Sequence, residues 1–152
     1  MSFSVTVQTE DFNVGQEYDL LIESGNSTGA VVFFVGRVRD FNDGNNVSGL
    51  SLEHYPGMTE KVLWEIIEEA RLRWPLIAAR VVHRVGDLHL GDQIVFVGTA
   101  SAHREHAFQS AEFLMDCLKT KAPFWKKEEC QSGKVKWIDA ADLDAEKVKR
   151  WK

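Results

Sequence analysis

Two amphipathic segments, Pro56 to Trp74 and Ser101 to Ala122, are each halted by a proline, and each is followed at once by a strand pattern. Pro75 and Pro123 lack the N–H that a continuing helix needs, and each disfavours helical backbone at the residue before it. In the first segment Met58, Val62, Ile66 and Ala70 follow an i+4 line flanked by Leu63, Ile67 and Trp74. Glu69 and Arg73 add a favourable i,i+4 pair, and Pro56 suits a first helical turn. In the second, Ser101 is the expected cap and Ala107, Ala111, Leu114, Met115 and Leu118 form the apolar face. Around these helices the pattern predicts strands at Ser4–Thr9, Ala30–Val38, Val47–Tyr55, Ile77–Val85 and Gln93–Ala100. A short helix is expected at Val14–Glu23, after which Ser24 to Gly29 forms a turn cluster. The nearly continuous apolar run Ala30–Val38 reads as a buried central strand. Across the polar loop Asp40–Asn46 it is expected to form a hairpin with Val47–Tyr55. Phe124–Glu129 and Val135–Ile138 suggest a last hairpin, and Asp142–Trp151 a short terminal helix. The expected fold is α+β, a mostly antiparallel sheet with two long helices packed on it plus a small β-hairpin subdomain, in a single domain over 1–152.

Composition narrows the function classes. With 44% hydrophobic and 27% charged residues, the chain resembles ordinary soluble globular proteins. A net charge of -5 argues against general nucleic-acid binding, which needs a broad basic surface. The longest strongly apolar run, Ala30 to Val35, is far too short to span a bilayer. The start MSFSVTVQTEDF lacks the features of a secretory signal. Cys117 and Cys130 form no CxxC pair and lie far from any His at metal-ligand spacing, so a structural disulfide, zinc site or other metal is not expected. A cytoplasmic protein is the expectation.

Against that acidic balance, Lys119 to Glu128 gathers four lysines and two large aromatics in ten residues. Each ammonium is a point charge with three donors, and Ala122 to Trp125 could shield such charges from water. Taken by itself, this window reads as the solvated basic end of a helix, where lysines complement the dipole. Arg37 and Arg39, at the end of an apolar strand, read by themselves as solubilising flanks.

Five blocks, GAVVFFVGRVRD, LEHYPGM, HRVGDLHLGD, SAHREHAF and KTKAPFWKKE, occur in an order and spacing that resembles the large, catalytic subunit of molybdopterin synthase. The resemblance runs from about Gly29 to Trp137. It implies a sulfurtransferase of molybdenum cofactor synthesis acting on cyclic pyranopterin monophosphate. By this resemblance two sulfurs are added, each arriving as a thiocarboxylate on the C-terminal Gly-Gly of a small ubiquitin-like subunit. The implied assembly is a heterotetramer built on a homodimer of the large subunit, with no cofactor, nucleic acid or membrane involved.

The family's substrate pocket falls on Arg37, Val38, Arg39, His103, Arg104, Lys119, Lys126, Lys127 and Glu128. By this resemblance Lys119 and Lys126 are the catalytic pair, with Lys119 first as proton donor or stabiliser of a tetrahedral intermediate. Arg39, His103 and Arg104 would position phosphate and pterin, since guanidinium groups can bind phosphate bidentately. Lys127 is expected to point away from Lys126 on a strand, and Glu128 to pair with Lys126. His103 and Arg104 open a helix, an end that disfavours cations. His103 and Lys119 lie sixteen positions apart on that helix, which separates their backbones by about 24 Å. A pocket shared across a dimer, with His103 and Arg104 from the neighbouring chain, reconciles the two.

The other residues have plainer readings. His54, His83, His89 and His106 are expected to be structural or surface residues. Glu65, Glu68 and Glu69 form a wet helix face. Cys117 is expected to be a buried small hydrophobe, and neither cysteine a sulfur carrier. Phe34, Met115, Pro123 and Phe124 could wall a narrow channel for a Gly-Gly tail, and Asp40–Asn46 could order over the site. Two rival functions remain at this point: a non-catalytic receptor for a ubiquitin-like tail, and a transferase or hydrolase for another small phosphate ester. The segment Asp139 to Asp142 supplies no cation.

Overall fold

The computed structural model describes residues 2–23, 25–39, 41–42, 45–130, 135–138 and 147–151, with backbone alone at 41–42, 45–48, 127–130 and 135–138. In chain order the elements are β1 (Phe3–Gln8), α1 (Val14–Ile22), β2 (Ala30–Arg37), β3 (Phe41–Asn42), β4 (Asn45–His54) and α2 (Met58–Arg73). They continue with β5 (Leu76–Arg84), β6 (Gly86–His89), β7 (Gln93–Ser101), α3 (Arg104–Lys121), β8 (Phe124–Cys130) and β9 (Val135–Ile138).

Two sheets result. The first has the order β1-β5-β7-β2, with β1 parallel to β5 and the other pairs antiparallel. The second runs β3-β4-β8-β9, with β6 also on β4. Its β8–β9 pair is the expected last hairpin. The α+β class with mainly antiparallel pairing therefore holds. Of the expected terminal helix, the described part is a single helical turn at 147–149.

The helices cover both faces of the first sheet. Leu63, Ile67 and Ala70 of α2 and Phe113, Leu114 and Leu118 of α3 pack on Val81 and Val97. On the other face Leu21 of α1 packs with Phe12, Ala78, Val82, Phe96 and Ala100. This is why β5 and β7 are buried on both sides and read as continuous apolar runs. A third cluster, Val38, Leu50, Leu52, Val85 and Leu88, joins the two sheets.

The helix stops follow the prolines. Trp74 and Ala122, each just before a proline, are extended caps whose N–H still reaches back to Ala70 and Leu118. The starts differ from expectation. Ser101 ends β7 and donates its hydroxyl to the Pro75 carbonyl at 2.9 Å, so His103 is the N-cap of α3 instead. Pro56 precedes the N-cap Gly57, whose N–H is satisfied by Glu60.

Two tertiary expectations need correction. The run Ala30–Val38 lies at a sheet edge, not its centre, and Phe33 and Phe34 are each 44% exposed. Nor does it form a hairpin with β4. A register shift at Gly36/Arg37 turns the chain out of the first sheet. Val38 then exchanges backbone hydrogen bonds with Gly91 and Asp92, and β4 pairs with β8 and β6 instead. The stretch expected as a loop includes the β3–β4 pairing of Phe41 with Asn46 and Asn42 with Asn45; Asp40, Asp43 and Gly44 lie outside the described residues.

Candidate functional site

A cavity of about 360 Å³ opens where the two sheets meet the C-terminal end of α3. That volume suits a small organic ligand. Its wall includes Phe34 to Arg39, Leu50, His83, Ile94, Val95, Leu118, Lys119 and Lys126. The lining thus carries Arg37, Arg39, Lys119 and Lys126, and no acidic residue among those described. In a chain of net charge -5, four cations around one volume make a local anion site.

Each cation arrives by a different route. Lys119 stands in the last turn of α3, where the helix dipole favours a positive charge. Pro123 then turns the chain into β8, and its carbonyl accepts from Thr59 Oγ1 at 3.0 Å, tying the turn to α2. Along β8 side chains alternate, so Phe124 and Lys126 share a face while Trp125, 46% exposed, points away. Of the expected aromatic shield, Phe124 faces inward. Arg37 sits at the β2 irregularity, its Nε donating to the Gly91 carbonyl at 3.1 Å. Gly91 has φ +84, a turn conformation that favours glycine. Val38 contributes a buried wall with its backbone already paired, and Arg39 follows it, exposed.

The remaining site candidates are elsewhere or outside the description. His103 and Arg104 are exposed at the opposite end of α3 from Lys119 and do not line this cavity. Lys127 and Glu128 have their backbone in β8 opposite Ser51 and Leu50, and their side chains lie outside the described residues. Of the expected channel walls, Phe34 lines the cavity, while Met115 and Phe124 pack partly on the core. Glu65 and Glu68 are solvated as expected, and Glu69 holds Arg73 at 3.2 Å. Cys117 is 1% exposed under α3, and burial pushes its thiol up to about 11. That keeps it a neutral hydrophobe rather than a nucleophile. The side chain of Cys130 and the segment 139–142 lie outside the described residues.

One further residue borders the cavity. His83, expected to be structural or on the surface, is 5% exposed and part of the cavity wall. Its ring stacks on Phe124 with centroids 3.9 Å apart and planes 17° apart. Its Nδ1 lies 2.8 Å from the Arg84 carbonyl, which can only accept, so Nδ1 carries the proton. Burial lowers its pKa to about 4, helped by the positive charges of Lys119 and His54 and opposed by the Arg84 carbonyl. The available signal was a single imidazole within the apolar run of β5.

Comparison with known proteins gives the same answer along nearly the whole chain. Residues 7–121 match the family described as MoaE protein. The molybdopterin synthase catalytic subunit of Vibrio cholerae is 58% identical over 99% of both chains. That of Escherichia coli is 52% identical over 97% of both. Among solved structures, molybdopterin cofactor biosynthesis protein E from Burkholderia multivorans superimposes with a TM-score of 0.84 at 49% identity, covering 99% of this chain and 97% of that one. A molybdopterin synthase structure from Staphylococcus aureus gives 0.81 at 33% identity, covering 88% and 95%. A subunit complex of molybdopterin-converting factor from Helicobacter pylori, at 22% identity and TM-score 0.67, shares the fold. With its ordered motifs, its two-sheet architecture and its cationic cavity, the chain belongs to the MoaE family of molybdopterin synthase catalytic subunits.

Proposed function

We infer that this chain is the catalytic subunit of a molybdopterin synthase, acting as one domain over 1–152. It converts cyclic pyranopterin monophosphate to molybdopterin with sulfur from the C-terminal thiocarboxylate of a small ubiquitin-like partner. The observation that carries the reading is the meeting of Lys119 and Lys126 with Arg37 and Arg39 around one cavity with apolar walls. The chemistry demands such a place. The substrate brings a phosphate, the partner's tail brings a thiocarboxylate, and more negative charge develops as sulfur attacks and the cyclic ester opens. Each transfer leaves the partner's tail as a carboxylate, with water supplying the oxygen.

Within that cavity Lys119 is assigned to the chemical step, as proton donor or as stabiliser of the tetrahedral intermediate, and Lys126 supports the same charge. Arg39 positions the phosphate, while Arg37, held by Gly91, braces the rim. The exposed edge of β2 supports assembly into a homodimer within a heterotetramer. A neighbouring chain would then bring His103 and Arg104 to the far side of the substrate. Among the described residues no helix is long and apolar enough to cross a membrane, and we place the enzyme in the cytoplasm.

Incubating wild-type protein and Lys119→Ala with thiocarboxylated partner and cyclic pterin, then weighing the product by mass spectrometry, tests the assignment. Wild type should yield the dithiolene product and the variant at least about 100-fold less, the scale of losing one preorganised charge. Near-normal product from Lys119→Ala would reject the role given to this lysine.

A further inference from the structure

We propose that His83 is a positioning residue for sulfur transfer, presenting a neutral acceptor nitrogen against which the Lys119 ammonium is set in the cavity. The inference rests on the reading of the site given above. His83 and Lys119 belong to the same cavity wall, one from β5 and the other from α3. The ring cannot turn freely. Phe124 covers one face, the Arg84 carbonyl holds Nδ1–H, and its strand neighbours are Val7 on β1 and Val95 on β7. With Nδ1 committed as donor, Nε2 is left with a lone pair, and a lone pair is what an ammonium seeks.

Burial between the strands and Phe124, more than any neighbouring charge, keeps the ring neutral. Lys119 from α3 and His54 from β4 act on it as positive charges, and within the strand the Arg84 carbonyl is the opposing influence. A neutral imidazole can stand beside a lysine that must face an anionic substrate without adding a competing cation. A carboxylate there would pair with Lys119 and weaken its pull on the substrate. Phe124 and Lys126 share one face of β8, so the segment that carries Lys126 also clamps His83. The two lysines are thereby registered to each other through one rigid ring.

Two substitutions separate positioning from plain structure. His83→Asn keeps a donor where Nδ1 meets the Arg84 carbonyl but has nothing at Nε2. His83→Gln places an amide near the Nε2 position and gives up the Arg84 hydrogen bond. Both are assayed with thiocarboxylated partner and cyclic pterin for kcat and KM, beside thermal unfolding. Positioning predicts that His83→Asn loses about tenfold in kcat, with pterin KM and melting temperature little changed. His83→Gln should keep most of the wild-type kcat even where it melts earlier. The opposite order, or equal kcat in both variants, would overturn the proposal and leave His83 a packing residue. Absence of turnover by wild type in the same assay would instead overturn the functional reading beneath it.

Discussion

Lys119 and Lys126 reach one volume through different backbones, the end of a helix and the third position of a strand. Only the turn at Pro123 lets seven residues bring both charges to the same cavity. His83 completes that group, and its buried neutrality has a measurable consequence. In the folded chain its pKa is lowered from 6.5 to about 4, so the unfolded chain takes up the proton first. The stability it contributes is fully present above pH 6.5 and is lost as pH falls toward 4, by up to about 3 kcal/mol. Urea unfolding of wild type and His83→Phe at pH 7.5 and 4.5 isolates this component from the carboxylates common to both. The stability advantage of wild type should shrink or invert at the lower pH. An advantage independent of pH would mean that the imidazole is not held neutral by burial.

At the scale of elements, α3 is the ruler of the molecule. Its inner face is core, its last turn carries Lys119, and its middle anchors the C-terminal turn. There Asp116, 8% exposed, accepts from Arg150 Nε at 3.1 Å and from Trp151 Nε1 at 2.7 Å. Trp151 packs edge-on against Trp74 and Phe113. Asp116→Ala should therefore cost about 1–3 kcal/mol in denaturant unfolding, because the indole N–H loses its buried acceptor. A change below about 0.5 kcal/mol would show that the turn is held by its aromatic contacts alone. Both long helices were legible as 3.6-residue periodicity with proline stops, because those signals are local. The Asp116 anchor was not, since it joins residues 34 and 35 positions apart. For the same reason the apolar content of β2 suggested a central strand, yet edge or centre depends on partners far along the chain. The lysine pair was singled out only through the family resemblance, since its own window reads by itself as the solvated basic end of a helix. His83 escaped because a lone histidine in a buried strand looks the same whether it packs a core or walls a site.

At the scale of the whole molecule, the long separation along α3 becomes an argument about assembly. His103 caps one end of an 18-residue helix and Lys119 stands near the other, with backbones about 24 Å apart at the helical rise. The cavity at Lys119 is far smaller than that span, so one substrate cannot touch both groups of one chain. On the proposed reading, a two-fold pairing of chains would give each cavity the neighbour's His103 and Arg104 and produce two equivalent composite sites. The exposed β2 edge with Phe33 and Phe34 offers apolar surface for such an assembly. Sharing makes a prediction that separate sites do not. Lys119→Ala and His103→Ala homodimers should each be nearly inactive. Hybrid dimers formed by co-expression should contain one site with both substitutions and one with neither, and so recover up to about half of wild-type activity per dimer. Hybrids purified through two different tags and still as inactive as the parents would show that His103 does not complete its neighbour's site.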